Sequence, residues 1–139
     1  MAETIDEARE AVYQKVVDNW TSTSFVFQNE DDSALYAGSS SWVRVSVVET
    51  GSEQETLGQK TDRRYRRENL LTMQIMTPAN AGMNEAGTLS EEARDLFEGE
   101  AFSDLDFIDG IDIIDLGVDK EKKWQQTNVR GTFAYEKKK

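Results

Sequence analysis

The segment Thr61–Pro78, TDRRYRRENLLTMQIMTP, holds both an extended apolar run and the densest cluster of positive charge in the chain. Arg63, Arg64, Arg66 and Arg67 fall within five residues of a 139-residue protein whose formal charge is −11. Side chains alternate along a strand, so Leu71, Met73 and Ile75 share one face and Leu70, Thr72, Gln74 and Met76 the other. Pro78 has no amide hydrogen for a ladder and ends the run. One end of this strand therefore enters a core. The other end carries the arginines beyond it.

The segment before it, SWVRVSVVE (residues 41–49), is the clearest strand of the sequence. Val43, Val45 and Val47 point one way; Trp42, Arg44, Ser46 and Val48 point the other. TGSEQETLGQKT (residues 50–61) is polar, contains two glycines and has no periodicity, which predicts a long, mobile hairpin loop. The arginines would emerge from that loop.

Working outward, Thr4 and Glu7 have the spacing of a helix capping box, and Ile5, Ala8, Val12 and Val16 follow at helical intervals. The predicted helix ends near Asp18–Asn19. TSFVFQ (residues 23–28) reads as a short strand, and NEDDSALYAGSSS (residues 29–41) as a loop anchored by Leu35 and Tyr36. After Pro78, Ala86, Leu89, Ala93, Leu96 and Phe97 predict a second helix. Gly87 weakens its first half, and Gly99 is a natural stop. FSDLDFIDGIDIIDLG (residues 102–117) alternates loosely and predicts one strand kinked at Gly110. VDKEKK (residues 118–123) is a charged turn. WQQTNVRGTFAYE (residues 124–136) is a final strand with Val129, Gly131, Phe133 and Tyr135 on one face. Lys137–Lys139 are expected to be a disordered tail. The order α, β, β, β, α, β, β in one domain spanning residues 1–139 predicts an α+β fold. It would be a mainly antiparallel sheet flanked by two helices, with a long β-hairpin.

The chain has no cysteine and no histidine, which removes thiolate chemistry and the commonest neutral-pH base and transition-metal ligand. No stretch is apolar enough for a membrane helix, and the acidic start MAETIDEARE lacks the pattern of a signal peptide. No Gly-rich phosphate loop is present. Asp106, Asp109, Asp112 and Asp115 recur every third residue, which is a poor match to the alternate acids of a calcium loop. No nucleophile and base stand out as a pair. The expectation is a protein that is not an enzyme and holds no metal or cofactor.

Charge is unevenly distributed. Glu91–Asp119 contains eleven acids and one base, Arg94. The bases gather at Arg63–Arg67, Lys120–Lys123 and Lys137–Lys139. The arginines have three readings. They contact nucleic acid, with Tyr65 stacking on a base. They pair with acids of the same subunit, such as Glu49, Glu53 and Glu55. Or they clamp a neighbouring subunit's acidic strand, Asp106, Asp109 and Asp112. A strand puts Arg63 and Arg67 on one face and Arg64 and Arg66 on the other, so it presents no single basic stripe. The net negative charge also opposes nucleic-acid and anionic-membrane binding.

Four segments together resemble the tail-terminator proteins of tailed bacteriophages. They are the N-terminal helix; WVRVSVVETGSEQETLGQKTDRRYRRENLLTMQIMTP, a strand, a glycine-spaced loop and a second strand; GMNEAGTLSEEARDLFEGEAF, a helix ending in Leu-Phe-x-Gly-x-x-Phe; and WQQTNVRGTFAYE. The likeness spans nearly the whole chain. Asn69 stands where the family commonly has Gly, and Gln125 where it commonly has an aromatic. The resemblance implies a structural virion protein at the tail–neck junction, assembled in the host cytoplasm. It implies a homohexameric ring that caps the tail tube, stops tube growth and meets the head–tail connector or stopper. A sheath protein would be a further partner in a contractile tail, and genomic DNA would pass through the lumen without specific binding. Neck adaptors and stoppers of similar size, and a nucleic-acid module using the arginine hairpin, are the alternatives.

Overall fold

A computed structural model of the chain describes residues 4–54, 64–98, 106–107 and 110–138. Its elements are α1 (Ile5–Asn19), β1 (Ser24–Phe27), α2 (Ser33–Ala37), β2 (Trp42–Gln54), β3 (Arg64–Pro78), α3 (Asn84–Phe97), β4 (Asp106–Phe107), β5 (Asp112–Val118) and β6 (Trp124–Lys138). The strands form one sheet in the order β1-β2-β3-β6-β4, and β5 pairs with β6 on the same side as β4. All pairings but β1–β2 are antiparallel. The α+β class and mainly antiparallel sheet are as expected.

The alternation read from the sequence sets the core. Phe27, Val45, Met73, Val129 and Ile113 make one continuous row across five strands. Val43, Val47, Leu71, Ile75, Phe133 and Tyr135 bury on the same side, beneath Ala8, Val12 and Val16 of α1 and Leu89, Ala93 and Phe97 of α3. The opposite face has its own smaller cluster of Val26, Trp42, Met76 and Trp124, against which Leu35 and Tyr36 pack. Trp42 and Trp124 meet edge to face with ring centroids 6.2 Å apart.

Several expectations change in three dimensions. β1 runs parallel to β2, because the Gln28–Ser41 connection is long enough for a crossover and contains the helix α2 where a loop was expected. The helix α3 begins at Asn84 and tolerates Gly87, whose added Cβ would meet nothing within 4 Å. The single kinked strand is two strands, β4 and β5, on either side of Gly110, and both are laid on β6. β2 continues to Gln54 and faces Tyr65, so Thr50–Gln54 are strand where loop was expected, and the rest of the expected mobile loop, from residue 55, lies outside the described residues. Lys137 and Lys138, expected in a disordered tail, continue β6 opposite Tyr65 and Arg64. Unpaired backbone on β3 gains hydrogen bonds from them, which a sequence taken locally does not reveal.

The capping pair forms with a variation. The Glu7 amide donates to the Thr4 hydroxyl oxygen at 3.2 Å, and that hydroxyl donates to the Glu7 carboxylate. Where β1 ends, side chains take over from its ladder. The Val47 amide donates to Gln28 Oε1, and its carbonyl accepts from Arg9 Nε at 3.0 Å. Tyr13 donates to the same Gln28 oxygen at 2.8 Å and stacks on Phe27 at 4.0 Å. Thus α1 is fastened to β2 where the sheet loses its first strand.

Phe133→Ala removes a fully buried ring and should cost about 3–5 kcal/mol in urea unfolding. At Gly131 a Cβ would sit 3.0 Å from Ile111 Cγ1 and 3.1 Å from Phe107 Cε1. Gly131→Val should therefore destabilise by about 1–3 kcal/mol despite the higher strand propensity of valine. Unchanged midpoints in either variant would contradict this packing.

Candidate interaction surfaces

Toward the hairpin three strands continue as an arm: Glu49–Gln54 of β2, Arg64–Asn69 of β3 and Phe133–Lys138 of β6, paired with β3 in the middle, with Phe133 and Tyr135 at its root still buried in the core beneath the helices. The ladder shifts between Glu49 and Gly51, a bulge at the root of the arm. Such an extra residue increases the local twist and re-aims the strand beyond it. Arg64, Arg66 and Glu68 share one face of β3, and Tyr65 and Arg67 the other.

Arg64 Nη1 lies 3.6 Å from Glu136 Oε2, and Arg66 Nε 3.6 Å from Glu68 Oε1. Arg67 donates to Ser52 Oγ at 2.5 Å, and its guanidinium lies 5.5 Å from the Tyr65 ring centre. These arginines have partners in their own chain, but Glu136 and Glu68 supply the carboxylates in these contacts. Glu136 reaches Arg64 only because β6 is laid beside β3. The Arg64 and Glu136 side chains are 55% and 51% exposed, so solvent screens the pair. Arg63 lies outside the described residues.

The acidic segment is divided between β4, level with the root of the arm, and β5, farther along β6. Asp106 is level with Ala134 and Asp112 with Arg130, on the far side of β6 from β3; Asp109 lies outside the described residues. Arg64 is level with Lys138. Along β6 that separates the Asp112 and Arg64 levels by eight residues, roughly 26 Å at strand rise. The fold thus does not bring Asp112 to Arg64 within one chain. Asp115 instead accepts from the Thr127 hydroxyl at 2.9 Å. Among the described residues no group of three or more acids is placed to hold a metal ion.

At the other sheet edge a side chain occupies the end of β1. The Phe27 amide donates to Glu30 Oε1 at 2.9 Å, and the Phe27 carbonyl accepts from the Glu30 amide at 3.3 Å. An occupied edge offers less backbone to an incoming strand.

A polar cluster that sequence reasoning missed surrounds Tyr36. Its hydroxyl oxygen is 2.6 Å from Asp119 Oδ2 and 2.7 Å from Glu121 Oε2. Asp119 Oδ1 also accepts from the Lys123 and Trp124 amides. Lys123 Nζ stands 5.6 Å from the Tyr36 ring centre and 5.8 Å from that of Trp124. The signal available in sequence was an anchor tyrosine and a charged turn; only the fold joins them. The Tyr36 hydroxyl, then the backbone amides, hold the Asp119 carboxyl below the usual range. The Asp119 and Glu121 contacts push the Tyr36 phenol well above its usual value. Burial raises Tyr13 and Tyr135 as well.

No protein-family profile and no curated protein matches this chain. Solved structures do match: one of them has a TM-score of 0.64 at 12% identity, covering 96% of each chain. This chain therefore shares its fold with that structure over nearly its whole length.

The Tyr36–Asp119 contact predicts two pH effects of opposite sign. Asp119 has a lowered folded pKa, so its contribution is complete above about pH 4 and is lost as pH falls through the folded value. Tyr36 has a raised folded pKa, so its contribution is complete below about pH 10 and is lost as pH rises through the folded value. Asp119→Asn should flatten the acid limb of the stability curve. In a phenolate absorbance titration, Tyr36→Phe should leave the amplitude unchanged up to about one unit above the ordinary tyrosine value. Loss of one tyrosine's amplitude in that range would refute the contact.

Proposed function

We propose that this protein is a structural virion component that caps a phage tail tube as a hexameric ring, ends tube polymerisation and joins the tail to the head connector. The observation carrying this reading is the order and spacing of four family-like segments over nearly the whole chain. Three of them correspond to the β2–β3 hairpin, α3 and β6. A ring requires heterologous contacts that close, with different patches of each subunit meeting. Segregated acidic and basic regions suit that requirement. The arm supplies the basic patch, and it meets a neighbouring subunit or the tube protein.

A lumen lined by such an acidic protein would let DNA slide, since acidic walls release no condensed counterions from it. The same physics weighs against a nucleic-acid module. Arg64 and Arg66 share their face with Glu68 and lie beside Glu136, so the arm offers phosphate no uninterrupted cationic track. Gel retardation at low salt should show no binding to duplex or single-stranded DNA.

Disrupting the gene in its source phage tests the main reading. Overlong, unjoined tails in electron micrographs are expected. Tails of normal length beside detached heads would instead assign the protein to the adaptor or stopper position in the neck. Arg64→Glu combined with Arg66→Glu should abolish capping while the protein remains folded. Normal tail length with that variant would refute a role for the arm.

A further inference from the structure

The two sides of the arm differ in charge. On one side Arg66 stands level with Glu53 of β2 and Glu136 of β6, and Arg64 and Arg66 each meet a carboxylate of their own chain. On the other side β3 presents Tyr65 and Arg67. Tyr65 is level with Gln54 and Lys137, and Arg67 with Ser52 and Tyr135. None of these six residues is acidic. Cation and ring alternate on both β3 and β6. Arg67 and Lys137 are therefore diagonal neighbours on one face, about 7–8 Å apart along the backbone.

Arg67 is held in place without being neutralised. One N–H donates to Ser52 Oγ at 2.5 Å, and the guanidinium lies 5.5 Å from the Tyr65 ring centre. A guanidinium has further N–H donors in the same planar fork, and these suit a carboxylate. Glu49 at the root of this side and Glu7 of α1 come near enough to act on the Tyr135 phenol, as does Arg67. Among the described residues neither acid forms an ion pair with Arg67, and the Lys137 head group has no ion pair. A guanidinium already ordered by a hydroxyl and a ring loses little further freedom on binding.

We propose that this side of the arm docks an extended segment of a partner protein carrying two carboxylates two residues apart, one held by the Arg67 fork and one by Lys137. This rests on the reading that the arm meets protein, and it adds a contact on the side away from Arg64 and Arg66. Residues two apart in an extended segment share a face and are about 6–7 Å apart, which matches the spacing of the two cations. A nucleic acid fits less well. Two cations neutralise at most two phosphates, a small release of counterions against a net charge of −11.

The test is an NMR titration of the isotope-labelled full chain at low ionic strength, following the arginine Nε–Hε signals. The probe is the peptide acetyl-Thr-Glu-Thr-Glu-Thr-amide. The same peptide with Gln for Glu and a thymidine trinucleotide are the comparisons. The Glu peptide should shift the Arg67 signal saturably and leave those of Arg64 and Arg66 in place, and the Gln peptide should shift none. Arg67→Gln should weaken binding about tenfold, the order expected for loss of a hydrogen bond between charged groups, with unchanged circular dichroism. Lys137→Gln breaks no ion pair of the fold and should weaken binding as well, even if Arg67→Gln proves unstable. An unmoved Arg67 signal, equal shifts at Arg64 and Arg66, tighter binding of the trinucleotide, or full affinity in Lys137→Gln would each overturn the proposal. Tail length after gene disruption is an independent readout. Overlong tails alongside any of those results would discard this contact and leave the terminator reading intact, and tails of normal length alongside the expected shifts would do the reverse.

Discussion

The structure depends on the pairing of β3 with β6. These strands are far apart in sequence, yet every residue from Arg64 to Pro78 has a partner between Lys138 and Trp124. Such a pairing requires closure of the intervening chain, at an entropic cost that grows slowly with loop length. It is offset by a long ladder and by continuous apolar rows on the helix-covered face. Once β6 is in place, its other side receives β4 and β5, and its end completes the arm.

The same pairing organises charge. β6 brings Glu136 beside Arg64, so the arginine arm is partly neutralised within its own chain. It also sets Asp112 of β5 on its far side, eight residues along β6 from the level of Arg64. Charges that look complementary in sequence are thereby kept apart. Charge segregated in this way is suited to association with other molecules. At −11 overall, such association should be sensitive to ionic strength.

Edges and termini show how the sheet is limited. Glu30 occupies the outward backbone groups of Phe27, and Gln28 and Arg9 occupy those of Val47. These contacts cap the end of β1 and the stretch of β2 just beyond it. Gly117, with φ near +87°, lies at the ladder shift between Asp115 and Gly117 on the other edge, where glycine lacks the Cβ that would oppose this backbone. Stability is thus concentrated between α1, α3 and the sheet, and Phe133 and Tyr135 carry that packing into the root of the arm.

The sequence by itself determined the alternating faces of β2, β3 and β6, the two amphipathic helices and the clustering of arginines. Each is encoded in side chains a few residues apart, and local periodicity is enough to read them. It also located Leu35 and Tyr36 as anchors, although not the helix that carries them. Tertiary structure alone decided that β1 is parallel, that the C-terminal lysines extend a strand, and that Asp112 lies away from the arginines. It also decided that Tyr36 meets Asp119 and that Arg64 meets Glu136. Each of these depends on which distant strand is laid beside which, a choice made by burial of the whole apolar face and not by the residues near the contact.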